Sequence, residues 1–180
     1  MHHEERALLH TQRLILRRFT PEDAEAVYRN WAGDRETTRF MPLERASSVE
    51  EAERLIGTWG DGVYGLVLKS TGELIGFVEY DITDDGARAA ELIYLIGKPW
   101  WHKGYAAEAV AELLKHIFEV VGLNRVWACH DPRNPNSGAV MRKCGLRQEG
   151  FSRQCKVRDG ELVDRYYYAI LAEDYFARRQ

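Results

Sequence analysis

The sequence predicts a single α/β domain in which helices pack on a mixed, mostly antiparallel sheet. Three observations indicate this class. The chain has 180 residues, of which 45% are hydrophobic and 29% charged, as in one globular domain. Short apolar runs separated by turn residues predict about seven strands and four or five helices in all. A long helix with one apolar stripe lies between two of these strands, which allows a parallel crossover.

The first half of the chain opens with a strand and two helices. An alternating apolar pattern in QRLILRRF predicts the strand. Thr20, followed by Pro21 and two acidic residues, is typical of a helix N-terminus. Ser47 or Ser48, followed by Glu50 and Glu51, has the same character. These signals predict a strand over 12–19 and helices over about 21–31 and 47–59.

The remaining elements follow from turn chemistry and apolar spacing. Apolar residues recur three and four apart over 104–121, which predicts an amphipathic helix that ends at Gly122. Asp159-Gly160 is a strong hairpin turn pair. The other predicted elements are strands over 64–69, 73–81, 89–96 and 124–130, a helix over 137–143, and hairpin strands over 147–157 and 162–171.

Charge and composition argue against several functional classes. The net charge is −3, without the basic excess of a nucleic-acid binder. No apolar run reaches the roughly 18 residues of a membrane span, and the polar N-terminus does not read as a signal peptide. We therefore expect a cytoplasmic domain over 1–180, with 1–10 as a flexible extension. Three cysteines and six histidines without chelating spacing predict reduced thiols and no metal.

The segment PWWHKGYAAEA carries the clearest chemical signal. A strand ends, a loop passes through Gly104, and a long helix begins. The first turn of a helix presents unpaired N–H groups and a partial positive charge, and Lys103 adds a full charge. This combination suits an anion, most naturally a pyrophosphate. The alternative is a tight turn with a solvated lysine. The segment matches neither the ATP-type P-loop nor the dinucleotide fingerprint.

This segment resembles the acetyl-coenzyme A binding turn of the GNAT N-acetyltransferases, in particular the RimJ/RimL-type branch. WHKGYAAEA is similar to the branch pattern W-x-K-G-Y-A-x-E-A. Four further segments are similar to family motifs in the same order: TQRLILRRF with PEDA, GELIGFV, AELIYLI and NPNSGAVMRKCGLRQEG. Together they extend the resemblance over roughly residues 11–176.

The resemblance implies a V-shaped sheet that splays between its fourth and fifth strands, where the pantetheine arm of acetyl-CoA would lie. Trp101 stands where the family pattern has Gln or Arg, so one side-chain phosphate contact is replaced, as is usual in this branch. Backbone groups of the fourth strand would bind the pantetheine amides, and amides of the turn would hold the pyrophosphate. The implied coenzyme-binding residues are Tyr94, Leu95, Ile96, Trp101, His102, Lys103, Gly104, Tyr105, Ala106 and Asn134.

The resemblance also implies catalytic roles. Glu91 would be the general base, although from the residues alone it could equally face solvent; Glu79 is the substitute or a ligand for a cationic acceptor. The family's acid tyrosine would fall at Met141, which has no hydroxyl. Ser137 could instead donate to the coenzyme sulfur, or simply cap a helix. Asn134 could bind pantetheine or only shape its loop. A backbone N–H near Leu95 would stabilise the oxyanion.

The function implied is acetyl transfer from acetyl-CoA to a primary amine by direct attack, without a metal. A protein N-terminal α-amine is the first choice of acceptor. A small-molecule amine, such as a polyamine, an antibiotic or an amino-acid derivative, is the alternative. A non-catalytic acyl-CoA sensor on the same fold is a second alternative, and a homodimer is possible. His102 and His130 are expected to be solvated residues that flank the coenzyme site.

Overall fold

The computed structural model describes residues 8–41 and 45–179, and within them the strands form one mixed sheet. The strands are β1 (Leu9–His10), β2 (Leu14–Arg17), β3 (Val63–Leu68), β4 (Leu74–Asp84), β5 (Ala89–Ile96), β6 (Arg125–His130), β7 (Arg147–Arg158) and β8 (Glu161–Leu171). Their order is β1-β2-β3-β4-β5-β6-β8-β7. The β5–β6 pair is parallel, whereas β1–β2, β2–β3, β3–β4, β6–β8 and β7–β8 are antiparallel. The predicted fold class is confirmed.

Six helices lie in the described part of the chain. They are α1 (Ala24–Val27), α2 (Arg35–Thr38), α3 (Val49–Thr58), α4 (Tyr105–His116), α5 (Pro135–Lys143) and α6 (Ala172–Ala177). A 3-10 turn over Pro21–Asp23 and a π turn over Tyr28–Ala32 flank α1, and a π turn over Ile117–Val121 continues α4. No helix among these residues is long and apolar enough to cross a membrane.

The predicted capping signals account for several helix ends. The Thr20 backbone N–H donates to Asp23 Oδ2 at 2.9 Å in a capping box, and the Glu51 N–H donates to Ser48 Oγ at 3.3 Å. Gly122 adopts the left-handed conformation after α4, at φ 75°. Asp34 caps α2, a four-residue helix that the apolar spacing did not predict.

The sheet begins inside the segment predicted to be a flexible extension. Leu9 and His10 pair with Leu16 and Ile15, so the backbone of these two residues is held in the sheet. Residues 1–7 of the predicted extension lie outside the described residues. The last turn of the α4 stripe also differs from the prediction, because the π turn leaves Val120 73% exposed.

The chain divides into two compact units. The first unit comprises the chain up to Glu79 together with Tyr94–Leu113. Its core is aromatic: the Trp59 ring lies 4.4 Å from Phe19 and 5.5 Å from Phe77, between ring centroids. Trp31 and Tyr64 are also buried there.

The second unit comprises Tyr80–Ile93 and Leu114 to the C-terminus. It contains β6 between the parallel strand β5 and the antiparallel strand β8, and the β7–β8 hairpin turns at Asp159-Gly160 as predicted. All three cysteines are free thiols.

Candidate active site

The predicted anion-binding turn lies in the first unit, between β5 and α4. A short 3-10 turn over Lys98–Trp100 leads from the strand into it. The Trp101 indole Nε1 donates to the Ile96 carbonyl at 2.6 Å, which ties the start of the turn to the end of β5. Trp101 therefore stabilises the backbone at a position where the family pattern has a phosphate-binding side chain.

Two residues of the turn adopt left-handed backbone conformations. His102 has φ 61° and Gly104 has φ 80°. The Glu108 N–H donates to the Gly104 carbonyl at 3.1 Å, the first bond of the α4 ladder. The backbone N–H groups of residues 104–106 come before this bond, and the helix itself provides no carbonyl to accept hydrogen bonds from them. Left-handed residues ahead of such amides form a concave anion-binding backbone, so the turn fits a pyrophosphate.

The turn exposes its charge to solvent. His102, Lys103 and Gly104 are all exposed, so an anion can reach both the lysine and the backbone. A side chain at Gly104 would have to adopt φ 80°, which L-residues with a Cβ rarely accept. Glycine at 104 therefore adopts the backbone conformation of the turn with less strain than a residue with a Cβ would.

The end of strand β5 lies very close to strand β4. A Cβ built on Gly76 would lie 2.1 Å from the Leu95 carbonyl oxygen, and the Gly97 N–H donates to the Ile75 carbonyl at 2.8 Å. The Leu95 carbonyl oxygen therefore lies against Gly76 of β4. The roles predicted for Leu95 in binding pantetheine and in stabilising the oxyanion stay predictions.

Glu91 lies in the second unit, where it pairs with Trp127 of β6. Its side chain is half-buried. Burial raises the pKa of the Glu91 carboxyl, Lys156 opposes this shift and Asp81 adds to it. The carboxyl is thus neither fully solvated nor held by a strong ion pair, and a raised pKa makes the carboxylate a better proton acceptor.

An aromatic pair lies beside Glu91 on β6 and β8. The ring centroids of Trp127 and Tyr167 are 6.2 Å apart, and Trp127 Nε1 donates to Thr83 Oγ1 at 3.1 Å. Cys129, the register partner of Tyr167, has its thiol pKa raised by burial and by the Glu91 charge. Strand alternation alone gave no reason to single out Trp127 or Tyr167.

Asp131 organises the loop that precedes α5. Its Oδ1 accepts the Arg133 backbone N–H and Nε at 2.9 Å each. Its Oδ2 accepts Arg133 Nη2 at 2.7 Å and Arg165 Nη1 at 3.2 Å. The Asp131 carbonyl also accepts the Asn134 N–H at 2.8 Å. Asp131 therefore fixes the loop in which Asn134 lies, a role that sequence analysis missed.

Helix α5 begins earlier than predicted. Asn134 precedes Pro135 as the N-cap residue, but its side chain makes no capping hydrogen bond. Ser137 lies inside the first turn and Asn134 is the N-cap residue, so of the two roles considered for Ser137, that of N-cap does not apply. Both side chains are half-buried, whereas Met141 is 1% exposed and belongs to the core. No group of three or more His, Cys, Asp or Glu residues in the described ranges could hold a metal ion.

His130 is buried rather than solvated, which corrects its expected position. Its ring lies near those of Tyr166 and Tyr168 in tilted contacts, with centroid separations of 5.5 and 5.6 Å. Its Nδ1 lies 2.8 Å from the Asp131 carbonyl oxygen. His102 is exposed, as expected.

Comparisons with known proteins identify the family. A family model described as an acetyltransferase (GNAT) domain matches residues 13–147. The chain belongs to the GNAT acetyltransferase family. It is similar to the uncharacterized N-acetyltransferase YoaA of Bacillus subtilis (strain 168), with 33% identity over 91% of this chain and 96% of that protein. It is also similar to the crystal structure of a GNAT-family acetyltransferase from Bacillus anthracis, with 30% identity, a TM-score of 0.86, and coverage of 93% and 99%.

A more distant similarity concerns an enzyme with a named acceptor. The [ribosomal protein uS5]-alanine N-acetyltransferase of Escherichia coli (strain K12) is 26% identical over 113 residues, which cover 62% of this chain and 58% of that enzyme. GNAT enzymes use acetyl-CoA as co-substrate, and this chain is an enzyme of that family.

The structure places the predicted site residues of this GNAT enzyme in both compact units. The structure brings the turn residues 101–106 together with Tyr94–Ile96 in the first unit. In the second unit it places Asn134 and Ser137 on one turn of α5, and Glu91 on β5. Glu79, the substitute base, is the last β4 residue that belongs to the first unit. It pairs with Val63 of β3.

Proposed function

We propose that this GNAT enzyme transfers the acetyl group of acetyl-CoA to the α-amine of a protein N-terminus, as a RimJ/RimL-type acetyltransferase. The observation that carries the proposal is the 101–106 turn, with two left-handed residues ahead of the first amides of α4. This turn lies inside the segment that the family model matches. Its chemistry suits the pyrophosphate of the coenzyme.

The turn and the end of β5 would hold the coenzyme mainly through backbone groups. The amides of 104–106 would donate to the pyrophosphate, and Lys103 would add a positive charge. Backbone groups of Tyr94, Leu95 and Ile96 would bind the pantetheine amides. Asn134 would add a side-chain hydrogen bond to the pantetheine, since its side chain is not used as a helix cap.

The acceptor amine must lose a proton before it can attack. At pH 7 this costs about 1.4 kcal/mol for an α-amine and about 4.6 kcal/mol for a lysine amine, from their ordinary pKa values. Glu91, with its raised pKa, would accept this proton directly or through water. Such a weak base is matched to an α-amine better than to a lysine.

The transfer balances without a covalent enzyme intermediate. The amine nitrogen forms a bond to the thioester carbon, and the carbon–sulfur bond breaks. An ammonium group that becomes an amide nitrogen loses two protons. Glu91 would accept the first before attack and return it to solvent. The second would leave the nitrogen after attack and reach the coenzyme A sulfur through water, so that coenzyme A is released as the thiol. Ser137 would donate a hydrogen bond to the departing sulfur. A thiol with an ordinary pKa near 8.5 is a fair leaving group, so modest acid assistance is sufficient and a tyrosine at 141 is not needed.

The acceptor class is supported by a relative and by the energetics above. The E. coli relative acts on an alanine of ribosomal protein uS5, according to its name. A small-molecule amine and a non-catalytic coenzyme-binding role are the competing outcomes.

Thiol release from acetyl-CoA, measured over a panel of amines, tests the proposal. The panel contains peptides with free and blocked N-termini, polyamines, aminoglycosides and amino-acid derivatives. We expect release with free N-termini only, and a loss of about 100-fold or more in kcat for Glu91→Gln. Glu79→Gln tests the substitute base, and the exposed Glu73→Gln is the matched control. Release with small amines alone, or binding of acetyl-CoA without release, would overturn the assignment.

A further inference from the structure

Glu108, in the first turn of α4, is the centre of a hydrogen-bond cluster that reaches back to the β1–β2 turn. Its Oε1 accepts Thr11 Oγ1 at 2.5 Å and the Arg13 backbone N–H at 2.7 Å. Its Oε2 accepts Arg13 Nε at 2.6 Å. We call Thr11, Arg13 and Glu108 the clasp. It joins positions about 95 residues apart, and all of it lies in the first unit.

Arg13 of the clasp also contacts the 101–106 turn. Arg13 Nη1 donates to the Lys103 carbonyl at 2.9 Å. The Arg13 guanidinium lies 4.4 Å from the Tyr105 ring centroid, in cation–π contact. A Cβ at Gly104 would be 3.5 Å from Arg13 Nη2. Arg13 thus contacts Lys103 and Tyr105, on either side of Gly104.

The Glu108 carboxylate is partly buried, and its hydrogen bonds favour its ionised form. Its side chain is 17% exposed, against 42% for Arg13. Burial alone would raise the pKa of Glu108, but hydrogen bonds from Thr11 and Arg13 outweigh burial and hold the pKa below its ordinary value. These hydrogen bonds therefore favour the ionised form of Glu108.

The middle of the turn is exposed at His102, Lys103 and Gly104. The Trp101 hydrogen bond to the Ile96 carbonyl restrains only the start of the turn. A loop that is ordered before the ligand arrives binds it more tightly, because the entropy of ordering has already been lost in folding. The Arg13 bond to the Lys103 carbonyl and the Glu108 anchor supply such order.

We infer that Thr11, Arg13 and Glu108 are positioning residues that hold the 101–106 turn in its pyrophosphate-binding shape and so set the affinity for the coenzyme. The inference rests on the proposed function of the turn. It predicts that substitutions in the clasp weaken binding only of ligands that carry the pyrophosphate. The acetyl transfer step itself involves none of these side chains.

The test compares Glu108→Gln and Arg13→Met with wild type in calorimetric titrations of coenzyme A and dephospho-coenzyme A. Both ligands carry the pyrophosphate, and we expect each variant to bind both about tenfold more weakly, which corresponds to about 1.4 kcal/mol. The KM for acetyl-CoA should rise by a similar factor with kcat unchanged. The double variant should bind little more weakly than either single variant, because both changes break one cluster.

The matched control is Glu25→Gln, which breaks the exposed Glu25–Arg29 ion pair in the same unit. It should change neither the Kd of coenzyme A nor the KM of acetyl-CoA. Acetylpantetheine, which lacks the pyrophosphate, should be used as donor equally well by wild type and by the clasp variants. A merely structural role would lower kcat/KM for both donors.

Two failures are distinguishable. Clasp variants that bind coenzyme A as tightly as wild type would overturn the positioning role while leaving the proposed function intact. Wild type that binds no coenzyme A would instead overturn the proposed function of the turn, and the inference with it.

Discussion

Replacement of Asp131 by Asn removes the anion that organises the loop before α5. The carboxylate accepts four hydrogen bonds from Arg133 and Arg165. The side chains of Asp131 and Arg165 are only 3% and 9% exposed. The substitution therefore leaves a buried guanidinium without its counter-charge, one of the more costly changes a protein interior can suffer.

The size of the effect follows from the acidity of Asp131. The hydrogen bond from the Arg133 side chain, opposed by burial, lowers the pKa of Asp131 from 3.8 to about 2. At about 1.4 kcal/mol per pKa unit, this difference corresponds to about 2 kcal/mol of folding free energy. Because the ionised form is the stabilised one, the contribution is complete above the unfolded pKa and is lost as the pH falls through about 2.

Urea denaturation at several pH values measures this contribution. At about pH 7 we expect Asp131→Asn to lower the free energy of unfolding by about 2 kcal/mol. The difference in unfolding free energy between wild type and Asp131→Asn should become smaller between about pH 4 and pH 2, because wild type loses the same contribution when Asp131 is protonated. Asp61→Asn, at an exposed carboxyl, is the control. A variant as stable as wild type at neutral pH, or a gap that is constant down to acid pH, would refute the reasoning.

Three further changes have definite expected outcomes. Gly76→Ala places a Cβ 2.1 Å from the Leu95 carbonyl oxygen, so denaturation should show a loss of about 2 kcal/mol or more, and unchanged stability would contradict the close approach. Gly104→Ala forces φ 80° on alanine; we expect weaker coenzyme A binding by calorimetry, whereas equal affinity would show that the turn tolerates a Cβ. In wild type, kcat/KM should rise with pH through a midpoint above 4.5, the ordinary pKa of Glu91, and Glu91→Gln should abolish this limb; a limb that survives in the variant belongs to another group.

Local patterns predicted much of the fold because the relevant signals are themselves local. Strand β5 occupies Ala89–Ile96 as predicted, and the Asp159-Gly160 turn closes the β7–β8 hairpin. By contrast, β1 has two residues and α2 has four, too few for a periodic pattern to exist. Helix α5 begins at Pro135 because proline suits the first helical position, a signal that outweighs Ser137 as a cap.

The site was less predictable, since its supporting contacts join distant positions. The turn is visible in the sequence through Lys103 and Gly104, but nothing local links Arg13 to Glu108. The burial of His130 depends on Tyr166 and Tyr168 of a neighbouring strand. The close approach of the Leu95 carbonyl oxygen to Gly76 depends on how β5 lies against β4, which residue types do not encode.

The most direct test of the central claim locates the acetyl group within one acceptor. A peptide with a free N-terminal alanine and an internal lysine is incubated with the enzyme and acetyl-CoA, and the product is sequenced by tandem mass spectrometry. The account predicts acetylation at the α-nitrogen, with the lysine unmodified, and no product from the same peptide with a blocked N-terminus. Acetylation of the lysine alone, or no product although acetyl-CoA binds, would contradict it.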